Sequence, residues 1–213
     1  MKLNGKDALT TATARAVTTA SPNTRLTCAQ MQGASRAVEL WRDERQFIER
    51  FCPANLVKLC GKEIDCMAAD TPCVAHVRIA WGEQLTTKWL ATFLMRINED
   101  SGKRQKMTIE QIDDYSRILT HEYGYLKPQE FMLFFLRFKA GYYGEFYDSV
   151  DPNVITKSFH RFMEWRRDLL GKAEAERARR ERQQQEQAVS AAKVTFEEYI
   201  RRRNRKYGTN KPP

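Results

Sequence analysis

The stretch Phe131-Met132-Leu133-Phe134-Phe135-Leu136-Arg137-Phe138 constrains this chain more than any other. Pro128 opens it, and proline suits the first turn of a helix because the N–H it lacks has no intrahelical partner there. The segment then reads as a helix with almost no polar face. It is far shorter than the roughly 20 residues a membrane-spanning helix needs, and Arg137 interrupts it. A short helix that is apolar all round has to be wrapped by other elements, so the rest of the fold must be arranged about it.

The flanking sequence supplies those elements in helical period. Ala37, Leu40, Trp41, Phe47, Ile48 and Phe51 fall at three- and four-residue spacing and predict one amphipathic helix from about Ser35 to the residue before Pro53. A short helix opened by Pro53 follows, with Gly61 as its stop. Thr71 and Pro72 serve as N-cap and first residue of a helix reaching Trp81. Val74, Val77 and Ile79 also fit a strand, but no partner strand appears elsewhere, so the helix is preferred. Leu85, Trp89, Leu90, Phe93, Leu94 and Ile97 form the cleanest apolar stripe, which stops at Asn98 and Gly102. Thr108 and Gln111 make a capping box ahead of Ile112, Tyr115 and Leu119. Asp151 and Pro152 begin another helix, with Ile155, Phe159, Phe162 and Leu169 at core spacing and Gly171 at its end. The expected class is therefore all-α: a compact multi-helix domain over residues 34–171, after a disordered lead-in over residues 1–33 that has no apolar period.

Beyond Gly171 the composition changes. Residues 171–213 hold twelve Lys or Arg against six Asp or Glu, within a chain whose formal net charge is +9. From Lys172 to Gln187 the apolar residues are all alanines, while Glu and Arg recur at three- and four-residue spacing suited to ion pairs. A charged helical tail over residues 172–213 is expected, with a separate terminal helix beginning at a capping box of Thr195 and Glu198 and ending at Gly208. That terminal helix carries Arg201, Arg202, Arg203, Arg205 and Lys206, the candidate nucleic-acid contacts, because clustered cations neutralise phosphates in any helical phase. Phe196, Tyr199 and Ile200 lie among them and are candidates for stacking on bases or for seating in a partner's groove.

A second candidate is the glycine-aromatic loop of residues 141–147. Gly141 and Gly144 allow the chain to turn sharply, and Tyr142, Tyr143 and Tyr147 are brought close together either as a partner-binding platform or as filling for the corner between two helices. The five cysteines, Cys28, Cys52, Cys60, Cys66 and Cys73, are odd in number and irregularly spaced, which fits reduced thiols in a cytoplasmic protein. Cys60, Cys66, Cys73 and His76 offer zinc-type ligands but lack a Cys-x-x-Cys knuckle, so no metal site and no cofactor is expected. The sequence has no phosphate-binding glycine loop, nucleophile elbow or His-Glu-x-x-His helix, and His76, His121 and His160 have no evident partner. A non-enzyme is expected.

The text from Phe134 through Arg137-Phe138-Lys139-Ala140-Gly141-Tyr142-Tyr143-Gly144-Glu145-Phe146-Tyr147, followed by Val150-Asp151-Pro152, Ile155 and a helix reaching Arg166, carries a resemblance. Over residues 81–167 the chain resembles an uncharacterised family of small helical proteins of bacterial phages and integrated mobile elements. The resemblance implies a helical fold and no assigned activity. In architecture alone the chain is also similar to helicase-loading accessory proteins of phage replication, which join a small helical domain to a mobile, partner-binding tail. The leading expectation is a non-enzymatic accessory of DNA metabolism, binding a protein through its helical body and nucleic acid through its tail. The alternative is a protein adaptor whose C-terminal amphipathic helix docks into a partner groove without contacting nucleic acid.

Overall fold

A computed structural model describes residues 26–144 and 149–208. Among them the regular elements are all helical and no strand forms, in keeping with the all-α class. They are α1 (Cys28–Trp41), α2 (Glu44–Arg50), a 3-10 helix (Pro53–Leu59), α3 (Glu63–Ala68), α4 (Val74–Trp81), α5 (Glu83–Asp100), α6 (Ile109–Glu122), α7 (Pro128–Lys139) and α8 (Pro152–Tyr207). The chain divides into two compact units, whose described parts are residues 26–165 and 166–208. No described helix is long and apolar enough to cross a membrane.

In the first unit, α7 is the wrapped element its sequence demands. Phe131, Met132, Leu133, Phe134 and Phe135 are all buried. Phe93 of α5 stacks on Phe135 with ring centroids 4.8 Å apart, and Trp89 meets Phe131 edge-on at 6.0 Å. On the other flank Phe159 and Phe162, in the first turns of α8, pack against Phe134 at 4.7 and 5.7 Å. The Trp89 indole N–H, which would be costly to bury unpaired, donates to the Phe51 carbonyl at 2.8 Å.

Three local readings change in this unit. Residues 28–33, taken as part of the lead-in, belong to α1, which starts at a capping box of Thr27 and Gln30; residues 1–25 of that lead-in lie outside the described residues. The single helix expected from Ser35 is two. Arg42 takes a φ of 62°, and Asp43 then caps α2 by accepting the Gln46 N–H at 2.8 Å. The break has a packing reason, because it folds Phe47 and Phe51 back onto Trp41 with ring centroids 5.4 and 5.2 Å away. Thirdly, α4 is capped at Cys73, whose N–H donates to His76 Nδ1, while Thr71 exchanges a hydrogen bond with the Gln129 side chain of α7.

The connection from α5 to α6 is held from two sides. The buried Asn98 side chain accepts the Met107 N–H and donates to the Met107 carbonyl, both at 2.9 Å. Gln105, two residues earlier, accepts the Val150 N–H at 3.0 Å through its carbonyl and forms an isolated bridge with Ser149. The expected capping box of Thr108 and Gln111 opens α6.

In the second unit α8 is uninterrupted. Gly171, expected to stop it, is not among the glycines of positive φ and lies within the helix. The predicted capping box at Thr195 and Glu198 is absent too: the Thr195 hydroxyl donates back to the Ala191 carbonyl at 3.0 Å, the bond of a threonine inside a helix. Arg177 with Glu181 and Arg180 with Glu176 supply the expected four-residue ion pairs, each at 3.0 Å.

Candidate functional site

The last turns of α8 carry the strongest local charge. Arg201, Arg202, Arg203, Arg205 and Lys206 are all exposed, and the four arginines form no ion pair among the described residues. At 100° per residue these five cations sweep about 200° of the helix surface. Phe196 and Ile200 fall in the remaining sector, whereas Tyr199 lies within the basic arc between Lys206 and Arg203, so the helix has a broad basic face beside a narrow apolar one. Phe196 and Tyr199 are 63% and 59% exposed, and Ile200 is half-buried. Large aromatic side chains left this open are unusual on a charged surface and have no packing role within the described residues.

The glycine-aromatic loop splits its tyrosines between two tasks. Tyr143 is core: it is buried, stacks on Phe134 at 5.8 Å and takes a hydrogen bond from Arg137 Nε at 3.1 Å. Burial pushes its phenol above the ordinary range, against a weaker opposing pull from Arg137, which keeps it a neutral acceptor for that N–H. Arg161 donates to the Tyr143 carbonyl at 3.2 Å. Tyr142 is instead 64% exposed, with the Arg137 guanidinium 4.0 Å from its ring centroid. The same guanidinium lies 3.7 Å from the Trp165 ring centroid, so Arg137 sits between two aromatic rings and fixes the loop to α8. Tyr147 lies outside the described residues. Gly141 and Gly144 have φ values of 79° and 95°, which a side chain would strain, and their Cα atoms face open space.

Arg137 was legible in sequence only as an interruption of an apolar run, and Trp165 not at all. A second group also escaped the sequence reading. It is the cations Lys103, Arg104 and Lys106 of the pinned connection between α5 and α6, of which Lys103 shares with this loop a cavity of about 300 Å3, lined also by Asp100, Lys139, Gly141 and Gly144.

Of the zinc-type residues, Cys73 and His76 meet, with Cys73 Sγ 3.4 Å from His76 Nδ1, but no group of three or more His, Cys, Asp or Glu among the described residues is placed to hold a metal ion. Burial pushes the Cys66 thiol up to about 11, with Asp65 and Glu63 adding to it, and burial lowers His76, which stays neutral. His121, expected to have no partner, does have one: its Nε2 lies 3.1 Å from Glu83 Oε1, which Arg117 also approaches at 3.8 Å. This is an exposed cluster on the α5–α6 surface.

Residues 106–210 match a family of unknown function, DUF6633. The match takes in α6, α7, the glycine-aromatic loop and all of α8, a little under half of the chain. It begins well after Trp81, where the resemblance read from sequence starts, and continues through the tail beyond Arg167. The aromatic loop and the basic terminal turns are thus parts of one matched segment. No curated protein and no solved structure matches the chain.

Proposed function

We propose that this protein is a non-enzymatic accessory of DNA metabolism on a phage or other mobile element, acting in the cytoplasm, and that the end of α8 contacts nucleic acid. The observation that carries the reading is the pairing, on one exposed helical stretch, of four arginines without acidic partners among the described residues and two open aromatic rings. Unpaired guanidinium groups exchange condensed counterions for phosphate contacts without first breaking an ion pair. Exposed rings offer faces on which bases stack in any sequence, so the expected ligand is single-stranded. The helical body holds a protein partner in this reading. Apolar side chains such as Val57, Ile109 and Leu40 are exposed on it and available to such a partner.

One observation favours the adaptor reading. Phe196 and Ile200 lie four residues apart, in the sector the cations leave, which is the spacing by which an amphipathic helix anchors in a groove. Salt separates the two. Binding of single-stranded nucleic acid through the four arginines gives a slope of log affinity against log salt of about −3, and replacing Arg201, Arg202 and Arg203 by Gln flattens it by about 2. Phe196→Ala weakens binding with little change of slope. Oligonucleotide binding that is unaltered in strength and slope by the triple substitution would refute the nucleic-acid role of the tail.

A further inference from the structure

We infer that the helical body carries its own single-strand contact, separate from the tail, made of the pinned basic connection at residues 103–106 and the exposed ring of Tyr142. The inference rests on the nucleic-acid reading of the tail but uses none of its residues. Its first support is charge. Arg96 and Lys139 are committed to acids, with Lys139 2.7 Å and Arg96 3.4 Å from Asp100 and Arg96 3.7 Å from Glu99. Lys139 holds the Asp100 carboxyl below its usual range by a hydrogen bond, so the pair stays intact at neutral pH. Lys103, Arg104 and Lys106 are left with no acidic partner among the described residues.

The second support is rigidity. A basic loop that wags freely loses much of its phosphate attraction to ordering entropy. This one is clamped at Met107 by both hydrogen-bonding groups of Asn98, and at Gln105 by the Val150 N–H. Its cations are therefore presented from a fixed backbone.

The third support is what lies across from it. Lys103 shares the cavity of about 300 Å3 with Gly141 and Gly144, and between those glycines Tyr142 stands mostly exposed on the Arg137 guanidinium. A cation beneath an aromatic ring leaves the ring available to a base while adding positive charge for the adjoining phosphate. Fixed phosphate-binding cations beside one stacking ring suit a short length of flexible single strand, whose bases can splay out. A duplex keeps its bases stacked inside and gains nothing from Tyr142.

Fluorescence anisotropy of a labelled oligothymidylate with the full-length chain tests this, over a range of salt. Replacing Lys103, Arg104 and Lys106 together by Gln is expected to flatten the salt slope by about 2 while the tail is intact. Tyr142→Ala is expected to weaken binding about 5- to 150-fold without changing the slope. Melting temperature and circular dichroism of each variant establish that the helical body remains folded. If the Gln triple leaves slope and affinity unchanged while the Arg201, Arg202 and Arg203 triple flattens the slope, the body contact is overturned and the tail reading stands. If the body triple flattens the slope and the tail triple does nothing, the tail reading fails and the body contact stands. Equal loss of slope for a duplex of the same length, with no effect of Tyr142→Ala, would overturn the single-strand assignment.

Discussion

Replacing Phe134 by alanine probes the hub of the core. Phe134 is fully buried and its ring meets those of Phe135, Phe138, Tyr143, Phe159 and Phe162, so it joins α7 to α8 and to the glycine-aromatic loop at once. Burial of an aromatic side chain removes roughly 150 to 250 Å2 from water, which at about 25 cal/mol per Å2 gives about 4 to 6 kcal/mol. The unfolded chain already hides part of that area, which trims the figure by roughly 10 to 40% to about 2 to 5 kcal/mol. Phenylalanine-to-alanine substitutions in other cores lose about the same. Urea unfolding followed by tryptophan fluorescence reads the loss directly, and an unchanged dependence on urea shows that the transition remains comparable. Ile118→Ala, at a position mostly exposed on α6, serves as the control and should cost less than about 0.5 kcal/mol. A loss below about 1 kcal/mol for Phe134→Ala would mean that the five rings do not pack as described.

Gly33→Ala should destabilise by about 1 to 3 kcal/mol, read as a lower melting temperature, because the new Cβ would fall 2.4 Å from the His76 ring. Thr108→Ala removes the cap that accepts the Gln111 N–H at 3.2 Å and should cost about 1 kcal/mol, whereas Thr195→Ala, inside α8, should cost almost nothing; chemical denaturation of both variants distinguishes a cap from a mid-helix threonine. Cys66 should resist alkylation by iodoacetamide at pH 8 while the exposed Cys28 and Cys60 react, as peptide mass spectrometry would show. Since burial raises the Cys66 thiol to about 11, the unfolded chain ionises it first as pH rises through the ordinary thiol range, so its contribution to stability declines above that range and is intact below it.

The parts of the fold that sequence made legible are those in which one local signal acts alone. The α7 run has only one physical solution, and the capping box at Thr108 and the stripe from Leu85 to Ile97 depend on residues three or four apart. Where sequence reasoning went astray, a distant partner decided. The turn at Arg42 exists because Phe47 and Phe51 reach back to Trp41, and nothing in the spacing of those residues distinguishes a straight helix from a folded one. Thr71 looks like a cap until Gln129, far along the chain, occupies its hydroxyl. The candidate site divides in the same way. The basic run of the tail is visible in the letters, but the connection carrying Lys103, Arg104 and Lys106 becomes a fixed surface only when Asn98 and Val150 pin its backbone and set Lys103 beside Gly141 and Gly144.

Gly171 offers the sharpest trial of that distinction, because the two readings of it predict opposite signs for one substitution. Read from sequence it is a helix stop, a position of positive φ where a Cβ would be strained, and alanine there should destabilise by about 1 kcal/mol. In the structure it lies inside α8 at ordinary helical φ, exposed, with no atom within 4 Å of where a Cβ would be placed. Alanine then meets nothing, while glycine carries a cost of about 0.5 to 1 kcal/mol from the extra freedom it loses in a helix. Gly171→Ala should therefore raise the helical signal at 222 nm on warming and protect the backbone amides of the flanking turns from hydrogen exchange by up to about fivefold. Faster exchange in those turns would restore the helix stop at Gly171. It would also make the basic terminal turns part of a helix distinct from the one that opens at Pro152.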